Sequence, residues 1–294
     1  MNAHQRYLAA DSAADEADVV LMGIPFDGTA CFRPGARFGP QGIRFWSDVL
    51  ETYSRPFDAD LEDLKLADAG DLKILSADWQ RASAEIHMAV EKYLHLGASP
   101  ILMGGEHLIT LPAVQASAAV FPGLVVLHMD AHMDLRDSYE GLQLSHATVM
   151  RRVMEKLGSD SLLQYGIRSG TREEWALSEE KGTFLSDLKA LPDIVGDRPV
   201  YLSVDLDVLD PSVMPETGAP EPGGISFLQL HEAILACRGL NVVAGDVVEY
   251  CPLPGWGGPS GAVAAKVVRE MIFLCAEGKS APSPKSKVQS PKVK

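Results

Sequence analysis

Little in these 294 residues invites a thiolate, disulfide or membrane reading. Only four cysteines occur, Cys31, Cys237, Cys251 and Cys275, and no two stand in C-x-x-C spacing. A zinc ribbon, an iron–sulfur cluster or a disulfide framework therefore has nothing to build from, and the four read as ordinary reduced or buried thiols, which favours a cytoplasmic setting. No run of about eighteen apolar residues exists to span a bilayer, and the N-terminal MNAHQRYLAADSAADEADVV carries acids without an apolar stretch of signal length. Positive charge is also scarce. The 26 lysines and arginines face 40 acids, a net charge of −14, the wrong sign for binding a phosphate backbone. The expected ligand is a cation or a metal, with no nucleic acid and no membrane as partner.

What is present is a chain able to bury a core: 46% of residues are hydrophobic, so disorder is not the default. Composition changes abruptly after Gly278 to KSAPSPKSKVQSPKVK, with five lysines, three prolines and no acid. The expectation is one domain over residues 1–278 and a disordered basic tail over 279–294. Without the tail, 21 basic residues remain against the same 40 acids, so the body is more acidic than the whole.

Short β-rich runs at 18–22, 65–69, 100–103, 124–129, 162–167, 200–204 and 242–247 alternate with helical patterns at 78–96, 108–119, 145–157, 227–237 and 260–276. Several of the short runs are apolar throughout, as strands buried on both faces must be, so the pattern predicts an α/β fold with a mainly parallel sheet. Within 84–96, Ile86, Ala89, Val90, Tyr93 and Leu94 recur at helical spacing and leave His87 and His95 toward the surface. Glycine- and proline-rich loops at 23–40, 210–224 and 251–261 are expected to wall a site, because loops leaving the carboxyl ends of parallel strands do so.

Three of these strands end in candidate ligands. LVVLHM runs into Asp130-Ala131-His132-Met133-Asp134, whose alternate positions share one side if the chain stays extended. PVYLSV ends in Asp205-Leu206-Asp207, and PILM leads into Gly104-Gly105-Glu106-His107. His128 shares parity with Asp130 but lies deeper in its strand, where core packing is commoner, and is not taken as a ligand. Four carboxylates gathered without positive charge would protonate or escape to water; two divalent cations offset them. An oxygen and nitrogen donor set without thiolate suits manganese, and zinc, nickel, iron and cobalt share that chemistry.

These segments, in order, resemble the ureohydrolase family, which includes arginase, agmatinase, guanidinobutyrase and formimidoylglutamase. The likeness is carried by GIPFDG, PGARFGPQGIR, GGEH, DAHMD, SVDLDVLDP, GGIS, DVVE and AAKVVRE and spans all but the termini. It implies a three-layer α/β/α sandwich and two Mn2+ ions bridged by hydroxide. One ion would be held by His107, Asp130, Asp134 and Asp205, the other by Asp130, His132, Asp205 and Asp207. It further implies catalytic roles for Asp134, His146 as a proton shuttle, and Glu249 as the partner of the substrate guanidinium, in a homo-oligomer, a trimer or hexamer.

The segment LRDSYEGLQLSHATVMRR and GIRSGTREEW resemble the agmatinase branch, which points to agmatine, hydrolysed to putrescine and urea. Guanidinobutyrate and arginine are the alternative substrates, and a silent metal-binding relative is disfavoured by the presence of Asp134, His146 and Glu249. Glu216, where the family commonly has glycine, is expected to contact the distal ammonium of such a cationic substrate. Pro254-Gly255 is a second departure in a wall loop.

Overall fold

In a computed structural model that describes residues 6–75, 77–255 and 258–280, the expected alternation becomes one sheet with helices on both faces. The first half comprises β1 (Val19–Gly23), α1 (Gly39–Ser47), the hairpin β2 (Tyr53–Ser54) and β3 (Ala59–Asp60), β4 (Leu66–Asp71), α2 (Trp79–His95), β5 (Ser99–Met103), α3 (Thr110–Val120) and β6 (Val125–Met129). There follow α4 (Val149–Leu157), β7 (Leu162–Tyr165), α5 (Arg172–Lys181), β8 (Phe184–Leu185), α6 (Leu191–Val195), β9 (Pro199–Asp205), α7 (Phe227–Leu235), β10 (Asn241–Val248) and α8 (Ser260–Ser280). The sheet order is β4-β1-β5-β10-β9-β6-β7-β8, and every neighbouring pair is parallel.

Two cores explain why the central strands carry no alternating polar residues. In β1, Val19 and Leu21 join one core while Val20 and Met22 join the other; in β9, Val200, Leu202 and Val204 oppose Tyr201. Helices α1, α7 and α8 cover the first face through residues such as Ile43, Leu230 and Val268. The second face is covered by α2, α3 and α4 through Ile86, Val114 and Val153. No helix among the described residues is long and apolar enough to cross a membrane.

Strands β5, β10, β9 and β6 are consecutive across the middle of the sheet, and being parallel they end on one edge. Four loops therefore leave the same rim side by side, which is how α/β sheets assemble sites. The expected tail boundary at 279 falls inside the last turn of α8, and residues 281–294, on which most of that expectation rests, lie outside the described residues.

Candidate metal centre

The Gly-Gly pair after β5 is what lets His107 reach the rim. A Cβ on Gly105 would stand 1.7 Å from the carbonyl oxygen of Phe26, so only glycine fits, and the chain then turns as the Glu106 N–H donates to that same oxygen at 2.7 Å. His107 starts a short 3-10 turn ahead of α3. After β6, Asp130 continues the strand direction, but Asp134 has φ 54°, in the left-handed region. The Asp-x-His-x-Asp run does not stay extended, contrary to the simple alternation read from spacing, and Asp134 reaches the cluster by a turn. After β9, Asp205 accepts a bond from the Asp207 N–H at 2.9 Å, which curls the second carboxylate back over the first.

All six expected ligands converge. His107 Nδ1 lies 3.1 Å from Asp130, 3.3 Å from Asp134 and 3.2 Å from Asp205. His132 Nδ1 lies 3.0 Å from Asp207 and 3.6 Å from Asp130. The decisive detail is at His107, which is 1% exposed and whose Nδ1 has no hydrogen-bond partner. Its other nitrogen, Nε2, faces Ser203 Oγ at 2.9 Å, and that hydroxyl spends its proton on Asp246 at 2.6 Å. The serine oxygen is thus the acceptor, Nε2 carries the hydrogen, and Nδ1 turns a lone pair toward three carboxylate oxygens. Such an arrangement is repulsive unless a cation sits among them, and these donors fit one.

The titration behaviour has the same origin. Burial, then Asp207 and Asp130, raises Asp205 well above the carboxylate range, and burial with Asp130 raises Asp207 to about 6. Burial opposes charge on His132, yet Asp130 and Asp207 hold it up at about 12; His107 is likewise raised against its burial by Asp130, Asp134 and Asp205. Protons on these groups offset the clustered carboxylates, and a metal would compete with them.

The cluster opens into a cavity of about 310 Å³ lined by His107, His132, Asp134, Asp205 and Asp207 together with His146 and Glu249. His146 places Nδ1 3.3 Å from Thr29 Oγ1 and Nε2 3.5 Å from the exposed thiol of Cys31, and burial lowers its pKa, so the ring is neutral and able to take a proton. Glu249 also has a left-handed backbone, φ 64°, and accepts the His107 N–H at 2.8 Å. Burial, then the neighbouring Glu106, raises it to about 8.

Glu216 is corrected. It is 3% exposed, does not line the cavity, and its carboxylate accepts the backbone N–H groups of Leu253 at 3.0 Å and Gly258 at 2.9 Å. The side chain fastens the wall loop instead of facing a ligand. Conversely, Ser203, Asp246, Gln164 and Thr29 support the site although sequence reasoning passed over them. Three of them carried a signal, a polar residue inside an otherwise apolar strand; Thr29, in a loop, carried none.

Residues 17–274 match the model of the Arginase family. The chain is 42% identical over 276 residues to an agmatinase of Bacillus anthracis, covering 91% of this chain and 95% of that protein. The crystal structure of the agmatine ureohydrolase of Thermoplasma volcanium superposes with a TM-score of 0.84 at 31% identity, covering 95% of this chain and 97% of the other. A formiminoglutamase of Trypanosoma cruzi solved with Mn2+ is similar at a TM-score of 0.80 and 25% identity, covering 92% and 97%.

Proposed function

The chain belongs to the arginase family and is a ureohydrolase, and from that premise we propose that it hydrolyses agmatine to putrescine and urea with two Mn2+ ions. The observation that carries the reading is His107 Nδ1, buried without a hydrogen-bond partner and within 3.3 Å of three carboxylates, beside a cavity that also holds Glu249. One ion would be held by His107, Asp130, Asp134 and Asp205, the other by Asp130, His132, Asp205 and Asp207. When bound, they would supply a nucleophile from water near neutral pH.

The chain's own residues do the rest. Glu249 pairs with the substrate guanidinium, whose charge favours the ionised carboxylate and so reverses the upward push of burial; paired, it fixes the reacting carbon by charge-assisted bonds. Asp134 accepts the proton released as water adds to that carbon. The bond to the amine nitrogen then breaks, and the proton leaves with the amine. His146, kept neutral by burial, exchanges protons between cavity and solvent. A homo-oligomer, a trimer or hexamer, in the cytoplasm belongs to the same proposal.

Urea release from agmatine, guanidinobutyrate and arginine with added manganese tests it. Agmatine should show the highest kcat/KM, and Glu249→Gln should lower it by two or more orders of magnitude. A guanidino acid outrunning agmatine would replace the substrate, and full activity in His132→Ala or Asp207→Ala would remove the ligand assignment.

A further inference from the structure

His128 stands within reach of the cluster, its Nε2 2.7 Å from Asp130 Oδ2, and on distance alone it could count as another metal donor. The residues behind it decide otherwise. Gln164, on the neighbouring strand β7 and fully buried, places its Nε2 2.8 Å from the carbonyl oxygen of Met133 and 3.0 Å from His128 Nδ1. Its Oε1 accepts the hydroxyl of Thr183 at 2.9 Å, and that hydroxyl meets Ser178 Oγ at 2.8 Å. Turning the amide over would press its oxygen against the Met133 carbonyl, two acceptors at hydrogen-bond distance, so the amide orientation is set. One amide hydrogen goes to Met133 and the other to His128, whose Nδ1 must be the bare nitrogen.

We propose that Gln164, by donating to His128 Nδ1, keeps the hydrogen of His128 on Nε2, making His128 a positioning residue that donates to Asp130 and not a metal ligand. A ring with Nδ1 already accepting keeps its only proton on Nε2, and that proton points at the carboxylate. The consequence lies at Asp130. Its Oδ1 accepts the His132 N–H at 2.6 Å and its Oδ2 accepts His128, so each oxygen has one protein donor and retains a lone pair. Asp130 belongs to both groups of residues able to hold an ion, and this is the state a carboxylate shared by two cations needs.

The metal-affinity part of this role rests on reading the cluster as a metal centre, whereas the tautomer does not, which separates the two failures. Nitrogen-15 spectra of histidine in the full-length chain without metal should show His128 with a bare Nδ1 and a protonated Nε2. A hydrogen on Nδ1 overturns the lock. Manganese titration then reads the positioning. His128→Gln can still present an amide N–H to Asp130 and should bind both ions within a few-fold of the unmodified chain. His128→Phe cannot, and should weaken binding by about ten- to a hundredfold, the usual cost of losing a partner behind a ligand. Loss of a whole ion in His128→Gln would make His128 a ligand, and unchanged binding in His128→Phe would remove its role. Should His128→Phe fail to fold, Gln164→Leu leaves ring and ligands in place; a mixed tautomer and weaker binding are expected, and neither changing overturns the proposal.

Discussion

At Asp130, Asp205 and Asp207 a carboxylate at the end of an apolar strand was readable as part of one buried cluster because nothing in a buried sheet tolerates such a group without a partner. The turn that brings Asp134 inward was not readable, since a left-handed backbone at a residue other than glycine leaves no mark on spacing. Glu216 was misjudged for a related reason: a loop side chain has no periodicity to say which way it points, and charge alone suggested a cationic ligand. Its bonds to Leu253 and Gly258 lead to a different expectation. Glu216→Gln replaces one acceptor oxygen with an N–H₂ facing the partly buried N–H donors of Leu253 and Gly258, and should destabilise the fold by about 1 kcal/mol. The KM values for agmatine and guanidinobutyrate should shift together. Denaturant unfolding and the two KM values measure this, and a KM loss confined to agmatine would restore the ammonium contact.

Among the elements, the seven strand runs were legible because two-sided burial leaves several of them almost wholly apolar and the rest, such as edge strand β4, stand between helical patterns, and five helices because their faces or lengths showed. Helix α1 was hidden in Gly-Pro-Gln-Gly, which reads as loop until its proline is seen to occupy the first turn, where a missing N–H costs nothing. Helix α5 buries only Glu174 and Ser178, so it has no stripe to detect, although Thr171 and Glu174 form a reciprocal cap. Two-residue β8 at the sheet edge is too short to signal at all. The loop between β7 and α5 matters through Arg168, whose guanidinium donates to the carbonyls of Asp207, Val208, Leu209, Glu221 and Pro222. It ties the turn carrying Asp207 to the loop ahead of α7. Arg168→Ala should cost about 1.5–3 kcal/mol in metal-free unfolding and should weaken chiefly the ion that Asp207 is proposed to hold. An unchanged unfolding midpoint, with both ions bound as before, would mean that these loops hold themselves.

Over the whole molecule 40 acids outnumber 26 bases, and Glu106, Asp130, Asp134, Asp205, Asp207 and Glu249 stand where four central strands end on one rim. Cations bound at that rim would join the ends of β5, β6 and β9, so loading should stabilise the global fold and not only the site. At a hundredfold excess over its dissociation constant, one ion contributes about 2.7 kcal/mol, a rise of several degrees in Tm for a chain of this size. The pH dependence follows from what occupies the ligands first. Without metal, His132 keeps a proton up to about 12 and Asp207 keeps one up to about 6. Between these values loading must expel the His132 proton as well as the one that Asp130, Asp134 and Asp205 favour on His107, so affinity rises with pH; below about 6 a further proton must leave from Asp207, and the dependence steepens. Stabilisation by metal is therefore present at neutral and alkaline pH and is lost as pH falls. Melting curves with manganese and with a chelator, compared across pH, should show a Tm gap that narrows on acidification, fastest below about pH 6. Calorimetry in buffers of differing ionisation enthalpy should detect proton release at neutral pH. A Tm gap independent of pH, or loading without proton release, would mean that the ligands are already bare and that the acidic cluster is relieved by something other than protons.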